Sequence, residues 1–294
     1  MSADQKIFQC EKDAIAFLGL LTHMYVSWDP PLKALDPKLL TQYHGYNIHA
    51  VIVDNTDGEV LALERNLIHE FESPVDHGEQ LAVRAAVERL RVKRPRPASQ
   101  AVEEYYRSSL FYDQGAEPCD FLNKGCTLYT TLEPCPMCTA TLLVCRMKRV
   151  VYVSADRTYG GSWDARPLPR GGISCNCTPS SNETQCHCNG LHDGYYSKYD
   201  QQYEMLSFDG ATDNLKRARA LLQRVRDRSA ELESTGVPGT QFFDFMVPEL
   251  SASYALFNDL QPSQLSSVEI DLTRNTRTLN DLKKLCNMPY EAVL

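Results

Sequence analysis

The sequence predicts an α/β protein in which helices pack against a mixed β-sheet. Three segments indicate this class: an alternating hairpin within 46–66, a helical stretch after residue 77, and a strand–helix–strand run across 126–155. A short turn joins antiparallel strands, whereas a helix between two strands makes a right-handed crossover and pairs them in parallel. Both pairings in one chain give a mixed sheet covered by helices.

The N-terminal part predicts an amphipathic helix, because apolar residues recur at helical spacing: Ala14, Phe17, Leu18, Leu21 and Tyr25. The prolines of "SWDPPLKALDP" end this helix. The run "YNIHAVIVDNTDGEVLALERN" then predicts two strands around the turn "DNTDGE". "DHGEQLAVRAAVERLRVK" predicts a helix whose apolar residues lie nearly all round, so we expect it to be buried.

The second half of the sheet is predicted from "CTLYTTL" as a strand, "CPMCTATLLVCRMK" as a helix and "RVVYVSA" as a strand. "NLKRARALLQRVRDRSAEL" predicts a further helix with a basic face. We therefore divide the chain into an N-terminal helical extension (1–42), a central domain (43–210) with a Cys-rich loop insertion (165–195), and a C-terminal helical extension (211–294) that packs on the core.

Charge and apolar runs limit the class of protein. The 294 residues carry 30 Lys and Arg against 38 Asp and Glu, a formal net charge of −8, which disfavours strong non-specific binding to polyanions. The apolar run "AIAFLGLLTHMYVSW" is interrupted by His23 and is too short to span a bilayer. We therefore expect a cytoplasmic protein, or a nuclear one in a eukaryote, with no membrane association and reduced thiols. Eleven cysteines are many for that setting, so we expect several to bind metal.

The stretch "TLEPCPMC" contains Cys135 and Cys138, three residues apart. Pro136 suits the first position of a helix, which makes Cys135 its N-cap and places Cys138 in the first turn. Both sulfurs then point to one side, and the helix N-terminus favours their thiolate forms. By itself the pair is compatible with a redox couple, a structural metal clip, half of a catalytic metal site or two buried thiols. Two thiolates are too few for Zn²⁺, so a zinc site needs another ligand.

The segment "DHGEQLAV" is the best source of that ligand, because His77 stands just before a predicted helix. Glu79 follows two residues later and does not share the orientation of His77 on a regular helix, so both should not bind one ion. With His77 as the third ligand, a zinc ion keeps an open position, which is the catalytic pattern. Glu79 can then take a proton from water and deliver it onward. The alternative is a structural zinc with a fourth protein ligand.

An HxE triplet followed by PCxxC resembles the cytidine deaminase-like superfamily of zinc-dependent nucleobase deaminases. "VDHGEQLAVRAAV" and "CTLYTTLEPCPMCTATLLVCRMKRVVYVSADRTYGG" are most similar to its tRNA adenosine deaminase branch and the neighbouring guanine deaminases, over roughly residues 45–165. The resemblance implies a three-layer α/β/α fold with a central mixed five-stranded sheet. It implies Zn²⁺ bound by His77, Cys135 and Cys138, with Glu79 as the proton shuttle.

The same resemblance implies substrate contacts. Asn66 matches an asparagine that holds the base in the tRNA adenosine deaminase branch, and Glu133 and Pro134 resemble that branch more than the pyrimidine nucleoside deaminases. The chain departs from the family pattern at Gly78, where the tRNA deaminases usually have alanine. Two further departures bear on the mouth of the pocket: the segment 94–122 is longer than in compact members, and the Cys-rich loop directly follows the second motif.

The function implied is hydrolytic deamination of an amino-bearing nucleobase, with adenosine to inosine in RNA as the best candidate. The alternatives are deamination of a free purine base, nucleoside or nucleotide, as in guanine deaminases, and a non-catalytic subunit that partners an active chain. Deaminases of this branch are usually dimers, so we expect a homodimer with a nucleobase-containing partner, RNA being one candidate.

Two further patterns have competing interpretations. Cys175, Cys177, Cys186 and Cys188 form two CxC pairs that would hold a second, structural zinc, although disulfides or idle thiols in a loop are alternatives. The run "RLRVKRPRP" and a later set of cations would contact phosphates or simply form solvated helix faces. That later set is Lys216, Arg217, Arg219, Arg224, Arg226 and Arg228.

Overall fold

The computed structural model describes the secondary structure of residues 3–29, 43–93, 125–145, 147, 149–156, 159–160, 202–205, 216–265 and 269–287. Its strands are β1 (His49–Asp54), β2 (Val60–Arg65), β3 (Cys126–Leu132), β4 (Arg149–Ser154) and β5 (Gln202–Met205). Its α-helices are α1 (Ala3–Val26), α2 (Gly78–Lys93), α3 (Pro136–Val144), α4 (Lys216–Ser234), α5 (Val247–Asp259) and α6 (Glu269–Cys286). Short 3₁₀ helices span Gly239–Phe245 and Pro262–Gln264.

The strands pair in the order β2-β1-β3-β4-β5. β1 pairs antiparallel with both β2 and β3, whereas β3–β4 and β4–β5 are parallel. The hairpin and the crossover through α3 therefore form as predicted. The mixed sheet with packed helices is confirmed.

Side chains that alternate along the strands separate two hydrophobic clusters. Val51 and Val53 of β1 belong to a large cluster with α1, α4, α5 and α6, whereas Ala50 and Ile52 belong to a smaller cluster with α2. Successive strand residues point to opposite faces, so the two clusters lie on opposite sides of β1. Helices from the N-terminal and C-terminal parts thus share one core with β1, β3 and β4.

Helix α1 is buried where an amphipathic helix was expected. Every residue from 11 to 24 is buried, including Glu11, Lys12 and Asp13. These polar side chains have partners: Asp13 accepts a hydrogen bond from Tyr129 Oη at 2.8 Å and two from Arg149 at 2.6 and 2.7 Å. The amphipathic prediction was wrong because α1 packs against the sheet on one side and against α5 and α6 on the other.

Helix α2 is less buried than predicted. Leu81, Ala82 and Ala86 are buried, but Arg84 and Val92 are exposed, with 83% of Val92 accessible. The expectation of burial nearly all round was wrong, since α2 packs one face on β1 and β2 and leaves the other in water.

Several predictions fall on residues outside the described ranges. These are the segment 94–122, the Cys-rich insertion 165–195 and the proposed ligands Cys175, Cys177, Cys186 and Cys188. Among the helices that the structure describes, none has the length and apolar character needed to cross a membrane.

Candidate metal centre

Two helix N-termini meet beside the carboxyl end of β3. The backbone N–H of Thr139 donates to the carbonyl of Cys135 at 2.8 Å, and that of Leu81 donates to the carbonyl of His77 at 3.0 Å. A residue whose carbonyl accepts the first bond of a helix occupies the N-cap position. His77 and Cys135 therefore cap α2 and α3, and Cys138 lies one turn into α3, as the proline pattern predicted.

The three ligand candidates lie close enough to bind one ion. Nδ1 of His77 is 3.7 Å from Sγ of Cys135 and 3.5 Å from Sγ of Cys138. Zinc bonds of about 2.3 Å to sulfur and 2.05 Å to nitrogen at a tetrahedral angle place S and N about 3.5 Å apart. The donor set and its spacing therefore fit zinc. Within the described ranges this is the group of His, Cys, Asp and Glu side chains that could hold a metal ion.

Glu79 stands beside these ligands with only 4% of its surface exposed. Its Oε2 lies 3.5 Å from Sγ of Cys138, and its Oε1 accepts a hydrogen bond from Oγ1 of Thr130 at 3.4 Å. Burial raises the pKa of the Glu79 carboxyl. A carboxylate with a raised pKa is a better proton acceptor, which suits a residue that carries a proton between two groups.

Hydrogen bonds among the three candidate ligands shift their pKa values in different directions. The hydrogen bond from Cys138 lowers the pKa of Cys135 to about 4, and the same bond with burial raises the pKa of Cys138. The hydrogen bond with Cys135 raises the pKa of His77. A metal needs thiolates and a neutral imidazole, so metal binding must release protons and weaken in acid.

Two residues that the sequence did not single out support the site. Nε2 of Gln80 donates to Oγ1 of Thr141 at 2.8 Å and so ties α2 to α3, the helices that carry the ligands. Thr130 of β3 holds Glu79 from the sheet. Neither residue belongs to a sequence motif, and the only signal in the sequence is that Gln80 directly follows Glu79.

Asn66 follows β2 and is 1% exposed. Its Oδ1 accepts hydrogen bonds from the backbone N–H of Tyr46 and Ile68, both at 3.3 Å. This is the turn role that a short carboxamide side chain often plays. The expected contact to a base would use the remaining donor, Nδ2, and stays a prediction.

Glu133 and Pro134 also make contacts within the fold. Oε2 of Glu133 accepts the backbone N–H of Asp156 at 3.0 Å, and the carbonyl of Pro134 accepts Oγ1 of Thr139 at 3.3 Å. Glu133 thus joins the strand before Cys135 to the loop after β4. Their predicted substrate contacts remain predictions.

A comparison with protein families matches residues 33–154 to the cytidine and deoxycytidylate deaminase zinc-binding region. The tRNA-specific adenosine deaminase of Aquifex aeolicus (strain VF5) is 30% identical over 114 residues, which are 39% of this chain and 56% of that protein. That of Bacillus subtilis (strain 168) is 30% identical over 115 residues, 39% of this chain and 53% of that protein. The chain thus spans about half the length of these curated relatives.

Solved structures of deaminases are also similar to parts of the chain. One from a study of A-to-I editing by tRNA:A34 deaminases is 28% identical, covers 39% of this chain and 61% of its own, and has a TM-score of 0.26. The guanine deaminase of Bacillus subtilis is 20% identical, covers 55% and 85%, and has a TM-score of 0.29. The stretch that matches the cytidine and deoxycytidylate deaminase zinc-binding region contains His77, Glu79, Cys135 and Cys138.

Proposed function

We propose that this protein is a zinc-dependent hydrolytic deaminase that converts adenosine to inosine in an RNA of the tRNA type. The observation that carries the reaction type is the buried Glu79 carboxylate beside three donor atoms spaced for one zinc ion. The tRNA-specific adenosine deaminases among its relatives support the substrate.

When bound by three protein ligands, zinc lowers the pKa of water toward neutrality and leaves a coordination position open. His77, Cys135 and Cys138 would hold it. Glu79 would accept a proton from the attacking water, pass it to the ring nitrogen of the base, and carry a second proton to the leaving amine. The amine leaves as ammonia and the water oxygen stays on the purine, so the reaction needs no further reactant. The hydrogen bond from Thr130 orients Glu79 for these transfers.

The test is ammonia and inosine release from a panel of RNAs, nucleosides, nucleotides and free bases by zinc-loaded protein. Glu79→Gln keeps the size of the side chain but removes its proton-accepting carboxylate. We expect turnover to fall by a factor of about 10² to 10⁴, the usual contribution of general acid–base catalysis, while zinc content stays the same. A Glu79→Gln protein that retained substantial activity would exclude this role.

The panel also separates the other candidate functions. Activity on free guanine or its nucleoside, with none on RNA, would assign the guanine-type reaction to this chain. Zinc bound with no activity on any substrate would indicate the non-catalytic subunit instead.

We further propose that the central part forms the complete three-layer domain with a five-stranded sheet, and that the chain is a homodimer. The strand order and the two hydrophobic clusters support the fold, and the resemblance supports the dimer. Sedimentation velocity of the full chain measures the oligomeric state directly.

A further inference from the structure

Helix α4 presents a basic surface that the proposed reaction does not use. Residues 216–226, "KRARALLQRVR", contain no acidic residue and carry their cations at Lys216, Arg217, Arg219, Arg224 and Arg226. Ala218, Leu221, Leu222 and Val225 are buried in the large hydrophobic cluster. Because this apolar face fixes the rotation of the helix, the cations must lie on its flanks and outer side.

The arginines of this surface differ from others in the molecule. Arg65, Arg149 and Arg277 each form close ion pairs with carboxylates. By contrast, Arg217, Arg219 and Arg224 are exposed, and no carboxylate pairs with them in the part of the chain that the structure describes. The acidic residues of α4 come later, where Arg228 pairs with Glu231 at 2.6 Å. The interleaved acids that would neutralise a merely solvated face are therefore missing from its first three turns.

The arginines of this surface are spaced along the axis of α4. Arg217 and Arg224 are seven residues apart, so they lie on the same flank at an axial separation of about 10.5 Å. Arg219 and Arg226 repeat that interval on the other flank. A net charge of −8 for the whole chain makes this local excess of positive charge stand out from the average surface.

Hydrogen bonds connect helix α4 to the strands next to the metal centre. Ser229 of α4 and Ser154 at the end of β4 have their hydroxyl oxygens 2.5 Å apart, and the carbonyl of Ser154 accepts the N–H of Glu133. Arg217 lies twelve residues before Ser229, about 18 Å along the helix axis. A ligand that extends from Arg217 to the level of Ser229 is therefore longer than a nucleoside.

We propose that the outward side of α4, with Arg217 and Arg224 on one flank and Arg219 on the other, binds the phosphate backbone of the RNA substrate away from the deaminated base. The inference rests on the proposed function for the identity of the polyanion. Exposed guanidinium groups without carboxylate partners are suited to phosphate oxygens, which they can bind through paired donors. Such contacts position an RNA without reading its sequence.

The test compares two triple variants for binding to an unmodified tRNA transcript over a range of salt concentrations. The first carries Arg217→Ala, Arg219→Ala and Arg224→Ala; the second carries Lys at the same positions and keeps the charge. We expect the alanine variant to bind about tenfold or more weakly at low salt. The plot of log affinity against log salt concentration should become less steep by about 2 to 3, because each of the three lost phosphate contacts contributes roughly 0.7 to 0.9 to the slope. The lysine variant should keep most of the affinity and most of the salt dependence.

Two single variants that each remove one positive charge control for net charge. Arg224→Ala should weaken tRNA binding, whereas Lys284→Ala, which removes an exposed cation of α6, should not. In turnover, the alanine variant should show a raised KM for tRNA with kcat nearly unchanged. Unchanged affinity and salt slope in the alanine variant would overturn the proposal. Binding that depends on these arginines for anionic lipid vesicles but not for tRNA would also overturn it.

These measurements separate this inference from the proposed reaction. A wild-type protein that binds tRNA through these arginines but releases no inosine would retain the RNA surface and refute the proposed activity. Inosine formation that is equally efficient in wild type and in all variants would support the proposed activity and refute the RNA surface.

Discussion

Glu133, two residues before the candidate ligand Cys135, forms a hydrogen bond within the fold. Its carboxylate accepts the N–H of Asp156, which is 2% exposed. A Cβ at Gly160 would lie 2.6 Å from Oε2 of Glu133, and one at Gly239 would lie 2.7 Å from Cγ of Asp156. The loop after β4 and the 3₁₀ helix near the C-terminus are therefore packed directly around this hydrogen bond, two residues from Cys135.

We expect Glu133→Ala to lower zinc affinity, because the loop after β4 loses its hydrogen bond to the residue two positions before Cys135. The buried N–H of Asp156 would be left without its acceptor, at about 1–3 kcal/mol. Glu133→Gln retains an oxygen acceptor and should stay close to wild type. Competition with a chromophoric chelator measures the affinity, and the visible spectrum of the cobalt-substituted protein reports the ligand geometry. Equal losses in both variants would show that the charge of Glu133 matters, rather than its acceptor.

At the residue scale the motif predicted His77, Cys135 and Cys138 as metal ligands, and the structure brings Nδ1 of His77 within 3.7 Å of both sulfurs. Asn66 and Glu133 were harder to interpret. Both were expected at the substrate, and both hold backbone N–H groups in the structure. A sequence shows that a polar residue is near a motif, but it does not show which polar groups its side chain faces.

Between elements, a group of charges joins the β1–β2 turn to two helices. Nζ of Lys93, at the end of α2, lies 2.9 Å from Asp54, 2.8 Å from Asp57 and 2.9 Å from Glu59. Arg277 of α6 binds Asp57 at 2.7 Å and Glu59 at 2.8 Å. Burial raises the pKa of Asp54, but hydrogen bonds led by that from Lys93 outweigh this effect and leave the pKa below its usual value. The C-terminal helix is thus held to the hairpin by charge as well as by apolar packing.

We expect Lys93→Met to destabilise the protein by about 2–4 kcal/mol, because it removes an ammonium group 2.9 Å from the buried Asp54 carboxylate; partial exposure of Lys93 moderates the loss. Urea unfolding at neutral pH measures this, and Lys284→Met, on the surface of α6, should change stability by less than about 0.5 kcal/mol.

The same network predicts a dependence on pH. A carboxylate with a lowered folded-state pKa stabilises the fold above its usual pKa, and this contribution is lost as the pH falls through the lowered value. For Asp54 that window lies below its ordinary value of 3.8. Wild type should therefore lose more stability than Lys93→Met in this acid range. Parallel pH profiles for the two proteins would contradict the assignment.

For the whole molecule, the central question is whether α1 is an appendage or part of the core. Phe17 is fully buried, and its ring meets that of Tyr129 edge to face with centroids 5.6 Å apart. A Cβ at Gly19 would lie 2.8 Å from Cδ1 of Leu282, so α1 and α6 approach closely. The helix at the start of the chain thus connects the sheet to the C-terminal helices.

We expect Phe17→Ala to cost about 3–5 kcal/mol, because it removes a large side chain from a packed core. The loss should appear in a single unfolding transition, in which far-UV circular dichroism and zinc release coincide. Tyr25→Ala, on the same helix but 37% exposed, should cost much less. Zinc release unchanged by Phe17→Ala, with loss of helix alone, would show that α1 is separable from the metal domain.

The sequence by itself determined the mixed sheet, the hairpin turn and the crossover helix, and it predicted which side chains would bind a metal. Each of these follows from short-range periodicity, turn chemistry or ligand spacing. Tertiary structure alone decided that residues 11–24 of α1 are buried on every side, that α2 keeps one face in water, and that Lys93 and Arg277 pair with the same two carboxylates, Asp57 and Glu59. Those features depend on contacts between residues far apart in the chain, and periodicity along one helix carries no information about what covers its second face.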